Sequence, residues 1–167
     1  MTPQALFGIS VLLSFVAWAI VARRYIWPAL CRRARAEALR PILLLHSFRF
    51  VGLAFLVPGV VSPELPSAFA RPAAYGDLAT AILALLAITA LRTKLGDLLV
   101  WVFNILGSAD LLYAFYQGNR TGLEAGLQGA AYFIPTVLVP LLLITHGLVF
   151  RILLKRDDAG MNRRGPT

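Results

Sequence analysis

The chain has 167 residues, of which 59% are hydrophobic and 14% are charged, and its 16 Lys and Arg residues outnumber 8 Asp and Glu residues. A soluble domain carries roughly 25% charged residues, because much of its surface has to be hydrated. The composition therefore excludes a soluble enzyme, a nucleic-acid-binding module and a disordered chain. It predicts a protein whose solvent is the lipid bilayer.

Five apolar runs predict five transmembrane helices, at residues 6–22, 41–61, 73–91, 95–116 and 129–150. Each run approaches or exceeds the length of about 20 residues that a helix needs to cross a hydrocarbon core about 30 Å thick. Pro41 and Pro72 are placed to start the second and third helices, where a missing N–H has no consequence. The predicted fold is all-α, a polytopic integral membrane bundle that forms one domain over 1–167, with a polar C-terminal tail at 151–167.

Prolines mark two further features of the chain. The connection 62–72 contains Pro63, Pro66 and Pro72 and little charge, so we expect it to lie in the membrane interface or to dip into the membrane. Pro135 and Pro140 remove backbone hydrogen bonds from the fifth run, and a kink there would open a cavity or act as a hinge. Helix packing is the more frequent reason for prolines in spanning helices and is the preferred interpretation.

The basic residues predict the orientation of the bundle. With the N-terminus outside and the C-terminus inside, the inward segments hold thirteen of the sixteen Lys and Arg residues, while the outward segments hold Arg71 and Arg120. The thirteen are Arg23, Arg24, Arg32, Arg33, Arg35, Arg40, Arg92, Lys94, Arg151, Lys155, Arg156, Arg163 and Arg164. The net charge of +8 thus reports an N-out, C-in topology, and we expect the lipid bilayer as a partner and no nucleic acid.

The stretch from Leu65 to Asp77 resembles a pattern found in uncharacterised bacterial multi-pass membrane proteins. Its Leu-Pro connection, its Pro72-Ala73 pair and the Gly-Asp pair ending at Asp77 precede an Ala-rich helix, as in those proteins. Phe48-Arg49 followed by Gly52 is similar to their second-helix segment. The resemblance implies a bacterial inner-membrane protein, and it carries over no activity and no site residue.

Six polar residues fall inside the predicted helices and are the candidate functional residues. A charged residue in the hydrocarbon costs about 2.5–3.5 kcal/mol on insertion scales, so each needs a partner or a function. They are His46 and Arg49 in the second helix, Asp77 in the third, Asn104 and Asp110 in the fourth, and His146 in the fifth.

The two histidines lie at one predicted depth, about 6–8 Å inside the inner boundary of the membrane. Two histidines on different helices are the axial ligands of iron in membrane b-type cytochromes. His46 and His146 are therefore candidate ligands of a haem b, with Arg49 placed three residues from His46 to pair with a propionate. The alternatives are hydrogen bonding across helices and a proton relay. Two nitrogens alone are too few ligands for a protein-only metal site.

The fourth helix has one polar or small sector, formed by Asn104 with Asp97, Gly107 and Ser108, and Asp110 lies about 60° beyond Gly107. This sector fits either the lining of a path for an ion or small polar solute, or a close helix contact in which Asn104 bonds across.

Arg49 is the one cation within the predicted spans, so the carboxylates in those spans have one candidate partner. The preferred structural interpretation is an Arg49–Asp110 ion pair that meets near the midplane. Asp77 also lies toward the outer leaflet, and its charge would oppose that of Asp110 if the two met.

Three classes of function fit these observations. The first is a small membrane module that associates with itself as a homo-oligomer or with a larger membrane complex. The second is a haem-bearing electron carrier through His46 and His146, and the third is a proton or small-solute pathway through Asp110, Asn104 and Arg49. The odd number of helices without a repeat disfavours a conventional transporter. An enzyme that acts on a lipid or isoprenoid substrate stays open, although no carboxylate cluster or nucleophile pair in the sequence supports it.

Overall fold

A computed structural model describes residues 1–155, so the predicted tail and its Arg156, Arg163 and Arg164 lie outside the described residues. Residues 1–155 form six α-helices and no β-strand, which confirms the all-α prediction. The α-helices are Pro3–Val21 (α1), Trp27–Cys31 (α2), Arg35–Ser47 (α3), Ser67–Ala90 (α4), Lys94–Arg120 (α5) and Val139–Leu154 (α6). Tighter 3-10 helices cover Phe48–Leu56 and Ala125–Tyr132, and wider π-helical turns cover Ala22–Ile26 and Ile134–Leu138.

These elements join into five helical stretches that are long and apolar enough to cross a membrane: Pro3–Cys31, Arg35–Leu56, Ser67–Ala90, Lys94–Arg120 and Ile134–Leu154. They agree with the predicted runs in number and order. We call the half of the bundle at the connections 32–34 and 91–93 the basic half, and the half at the connections 57–66 and 121–133 the cavity half. Surface ion pairs Arg35–Asp97 (3.7 Å) and Arg92–Glu37 (3.5 Å) join helices in the basic half.

Two helices begin earlier than predicted and include the proline that was expected to start them. Helix α3 begins at Arg35 rather than at 41, since Ala38 and Leu39 are buried and extend the packed face toward the N-terminus. Helix α4 begins at Ser67 rather than at 73, because Phe69 and Ala70 are buried in the same way. Much of the predicted 62–72 connection is therefore helix.

Pro72 inside α4 leaves the carbonyl of Ala68 without the N–H that would normally bond it four residues later. The side chain of Gln117, on α5, supplies the missing donor: its Nε2 donates to the Ala68 oxygen at 3.0 Å. A tertiary hydrogen bond thus replaces a helical one, which is why the proline is tolerated.

Two other prolines are each preceded by a π-helical turn. The N–H of Trp27, before Pro28, donates to the oxygen of Ala22, and the N–H of Val139, before Pro140, donates to the oxygen of Ile134. These bonds span five residues instead of four, and the wider turn accommodates a ring that clashes with the carbonyl four residues back. The first stretch consequently continues to Cys31, beyond its predicted end at residue 22, and the kink predicted in the fifth run takes this form.

Two apolar clusters make the core, one in each half. The basic-half cluster includes Leu39, Leu43, Ala84, Val100 and Val149, all buried. The cavity-half cluster includes Phe55, Phe69, Ala74, Leu111 and Leu142. Along every inner helix the predicted polar residues lie between members of the two clusters, so the polar groups meet at the boundary between the two halves.

Candidate functional site

The 3-10 helix Phe48–Leu56 places Arg49 at the centre of the bundle. Its buried residues are Arg49, Gly52 and Phe55, which are spaced by three as the three-residue turn of a 3-10 helix requires. Phe48 and Phe50 are exposed on its other sides. The change from α-helix to 3-10 helix at residue 48 thus lines up an arginine, a glycine and an aromatic ring on one face.

Arg49 is buried, with 1% of its surface exposed, and its guanidinium bonds four groups on three other helices. Its Nε donates to Asp77 Oδ1 at 2.6 Å, and its Nη2 donates to Asp110 Oδ2 at 2.7 Å. Its Nη1 donates to the Gly107 oxygen and to His146 Nε2, both at 3.2 Å. Arg49 therefore ties the 3-10 helix to α4, α5 and α6, and charge-assisted bonds of this kind are the strong ones.

The bond from Arg49 determines the protonation of His146. Since a guanidinium only donates, Nε2 of His146 has to accept, and the proton of the neutral ring lies on Nδ1. That Nδ1 then donates to Asn104 Oδ1 at 2.8 Å. Donation therefore runs outward from Arg49, to Asp110 on one side and through His146 to Asn104 on the other.

His46 joins the same group through its ring and its Nε2. Nε2 lies 2.9 Å from Thr145 Oγ1, whose own proton is directed to the Leu141 and Leu142 carbonyls. The His46 and His146 rings pack with centroids 4.3 Å apart, and the Phe103 ring lies 5.1 Å from each of them. Phe103 thereby covers, on the side of the basic half, the cluster of six polar side chains that we call the polar group: His46, Arg49, Asp77, Asn104, Asp110 and His146.

Three glycines make room for the polar side chains. A Cβ on Gly52 would collide with the Asp77 carboxylate, and a Cβ on Gly76 would collide with the Asp110 carboxylate. A Cβ on Gly107 would lie within 3 Å of the His146 ring and of the Thr80 methyl group. The small residues that the sequence places near the polar ones therefore allow the ions to pack against bare backbone.

The arrangement does not fit a haem between the histidines. Axial nitrogens bind iron from opposite faces of the porphyrin at roughly 2 Å each, so the centroids of two axial imidazole rings are about 6 Å apart. The centroids of these two rings are 4.3 Å apart, which leaves no room for an iron between them. Three of their four nitrogens already bond Thr145, Arg49 and Asn104. His46 is also eleven residues, or about 16 Å, from the start of α3, rather than five residues from the start predicted at Pro41. The haem prediction gains no support from this geometry.

A cavity of about 380 Å³ lies directly above the ions, in the cavity half. Asp77 and Asp110 form its floor, and its walls are mostly apolar, with Phe55, Phe69 and Phe115 among them. The residues at its outer end include Gln4 and Asn119, near the ends of α1 and α5. A volume of this size is typical of pockets for small organic ligands.

The structure brings all six predicted polar residues into one group. The predicted Arg49–Asp110 pair is confirmed at 2.7 Å, and Asp77 joins the same arginine, so its charge and that of Asp110 share one counter-ion. Sequence reasoning did not assign a role to Gln128, Gly76 or the Gly107 carbonyl. The spacing of Gly76 beside Asp77 and of Gly107 near Asp110 was a usable signal, while nothing local indicated Gln128.

Within residues 1–155, no group of three or more His, Cys, Asp or Glu side chains is placed to hold a metal ion. Comparison with curated proteins and with solved structures found no match. A family model described as domain of unknown function DUF8737 matches residues 6–154, which cover the five helical stretches except the first three residues of the first, and every residue of the polar group. The chain therefore belongs to the DUF8737 family.

Proposed function

We propose that the protein spans a bacterial inner membrane five times, as one domain, with its N-terminus outside and its C-terminus inside. Large apolar side chains such as Leu12, Leu85 and Leu98 are exposed along the helices, as a lipid-facing surface requires. The described basic residues outside the polar group are concentrated in the basic half, and Arg71 and Arg120 are the two in the cavity half. Basic connections favour the cytoplasmic side.

Cys31 provides a direct test of this topology, since it is exposed at the basic end of the first stretch. We expect a membrane-impermeant maleimide to modify it in inside-out vesicles and not in intact spheroplasts. A Cys31→Ser chain that carries Thr2→Cys should show the reverse pattern. Modification of Cys31 from the outer side would contradict the orientation.

We further propose that the protein binds a small solute in the cavity above Arg49. The observation that carries this proposal is the buried Arg49, which joins Asp77 and Asp110 at the floor of a cavity of about 380 Å³. Buried ions in an apolar bundle are costly and mark functional sites by default. A purely structural ion cluster would need no cavity beside it, whereas this cavity lets a ligand reach Asp77 and Asp110.

Within residues 1–155, the polar group is open to a cavity only on the side of the cavity half. We therefore propose a binding site rather than the pathway through the bundle that the sequence also predicted. On the side of the basic half, Phe103, Leu43 and Val100 are fully buried and pack below the histidines. A solute that enters from the cavity half therefore meets close-packed side chains beyond the polar group.

Three matched aromatic solutes test the proposal: 2-phenylethylamine, 2-phenylethanol and phenylacetate. Binding to the protein in lipid nanodiscs is measured by calorimetry, with empty nanodiscs subtracted. At least one solute should bind saturably, and Ala114→Trp should abolish that binding because Ala114 lines the cavity. Ala109→Trp, at an exposed position of the same helix, is the control. Absence of saturable binding for all three solutes would refute the proposed function.

Association with a second copy or a larger complex is the second candidate function. Helix α1 favours it, because none of its residues is buried and Leu6, Leu13 and Val16 are exposed. The helix is held to the bundle by a few contacts, among them the bond from Trp18 Nε1 to the Val137 oxygen at 3.1 Å. Cross-linking of single cysteines along α1 in native membranes tests this; no cross-link between copies or to another protein would count against it.

A further inference from the structure

The polar group carries an unbalanced charge on its cavity side. Arg49 contributes one positive charge, Asp77 and Asp110 contribute two negative charges when ionised, and His146 is neutral in the tautomer that its bonds require. Four bonds already engage the guanidinium, so its charge is committed to groups of the protein. The floor of the cavity is therefore suited to a positive ligand and unsuited to an anion.

A second acceptor lies in the wall of the same cavity. Gln128 lines it and is 1% exposed, yet its Oε1 has no hydrogen-bond partner among residues 1–155. A buried carbonyl oxygen without a donor is destabilising, and native proteins retain such groups where a ligand or water completes them. Gln128 thus adds an acceptor without a donor, which indicates a ligand that has hydrogen-bond donors.

The backbone around Gln128 is built to hold it in place. Gly129 has φ +50, a conformation that favours glycine, and a Cβ there would collide with the Val60 carbonyl. The N–H of Ala130 donates to Val60 at 2.9 Å, and the N–H of Ser62 donates to the Leu127 oxygen at 3.0 Å. Two backbone bonds on either side of Gln128 therefore fasten its segment to the connection 57–66.

The remaining walls of the cavity favour an organic ligand over a bare metal ion. Phe55 and Phe69 pack edge to face at 5.3 Å, and Phe115 also lines the cavity. Hard cations such as Ca²⁺ take six to eight oxygen ligands. The floor offers two carboxylates, and the amides in the lining are those of Gln4, Asn119 and Gln128. Aromatic and aliphatic walls instead match apolar groups, and aromatic faces also attract organic cations.

We propose that the cavity binds an amphipathic organic amine, with its ammonium group between the Asp77 and Asp110 carboxylates and Gln128 Oε1 and its apolar part against Phe55, Phe69 and Phe115. This inference rests on the proposed function, because it names the class of solute that the cavity takes. The ammonium group neutralises the excess negative charge of the floor and donates to the acceptor on Gln128.

The same three solutes test the preference for an amine, since they differ in the charge of one terminal group. In the wild-type protein, 2-phenylethylamine should bind about tenfold more tightly than 2-phenylethanol, as expected for one charge-assisted contact, and phenylacetate should bind most weakly. Asp110→Asn should lower amine affinity about tenfold and leave alcohol affinity within about twofold. Asp97→Asn, which changes an exposed carboxylate in the basic half, should alter neither affinity.

Gln128→Leu provides a second variant that does not touch the ion pair, and it should weaken amine binding about fivefold. If Asp110→Asn fails to fold, this variant decides. Equal binding of amine and alcohol to the wild type, or amine affinity unchanged by the folded variants, overturns the inference and leaves the proposed function standing. Failure of all three solutes to bind is a different result and refutes the proposed function itself.

Discussion

The two halves of the bundle bury similar numbers of apolar residues, thirteen in the basic-half cluster and eleven in the cavity-half cluster, but they use them differently. The basic half is mainly α-helical, with one π-helical turn at Ala22–Ile26, and Leu43, Ala84, Val100 and Val149 are buried in its core. The cavity half combines the ends of α1, α4 and α5 with two 3-10 segments, a π-turn and connections that contain Gly59 and Gly122, and it holds a partly open cavity.

The position of the ions explains this difference. Asp77 and Asp110 lie at the boundary and line the cavity, whereas the side of the polar group toward the basic half is closed by Phe103. Irregular backbone is tolerated in an apolar bundle where it is covered by protein or lines a cavity. One half is therefore filled by buried apolar side chains, and the other provides space beside a buried charge.

Removal of Arg49 should have the largest effect on stability. Arg49→Met leaves Asp77 and Asp110 buried without a counter-ion, and breaking a buried ion pair typically costs about 3–5 kcal/mol. The free energy of unfolding, measured by SDS titration in mixed micelles with circular dichroism, should fall by that amount. Arg49→Met combined with Asp77→Leu and Asp110→Leu should regain much of it, because no unpaired charge is then buried. A single variant as stable as wild type would contradict the ionic role.

A methyl group at Gly107 should have the next largest effect. Gly107→Ala places a Cβ against the His146 ring and the Thr80 methyl group, and overpacking of this kind costs about 1–3 kcal/mol. Gly147→Ala is the matched control, since nothing lies within 4 Å of a Cβ at that position of α6. Thermal unfolding should show a lower Tm for the first variant and an equal or higher Tm for the second, because Ala is the better helix former.

The same enlargement of a side chain, from Ala to Leu, should have different effects on stability in the two halves. Ala84→Leu adds three carbon atoms at a fully buried position of the basic half and should destabilise by about 1–2 kcal/mol. Ala114→Leu adds the same atoms beside the cavity and should change stability by less than about 1 kcal/mol, since the space is already present. Equal losses in SDS titration would show that the two halves are packed alike.

The surface ion pairs of the basic half should contribute least. Arg92→Met removes the 3.5 Å contact with Glu37, in which the side chains are 79% and 49% exposed. Exposed pairs contribute about 0–1 kcal/mol, and salt screens them. The free energy of unfolding should therefore change by less than about 1 kcal/mol, and a loss comparable to that of Arg49→Met would show that the basic half depends on its charges.

The length and spacing of the apolar runs alone predict five helices in their observed order, because a hydrophobic run of about 20 residues has few other stable conformations. The rarity of ions in such runs also singles out the six polar residues, and the shortage of cations predicts the Arg49–Asp110 pair. Local signals misplace the starts of α3 and α4, because Pro41 and Pro72 act as helix starts only when no tertiary contact extends the helix.

Tertiary structure decided the rest. The bond from Gln117 to Ala68 and the approach of Gly52 to Asp77 join residues far apart in the chain. The change to a 3-10 helix at Phe48, which directs Arg49 inward, is local but has no signal in the hydrophobic pattern. Contacts between distant residues also place His46 against His146, bring Asp77 to the arginine and place Gln128 in the wall of the cavity. Composition and periodicity indicate whether each segment is surrounded by lipid, protein or water. A site depends on which helix faces contact each other, and the packing of the whole bundle sets those contacts.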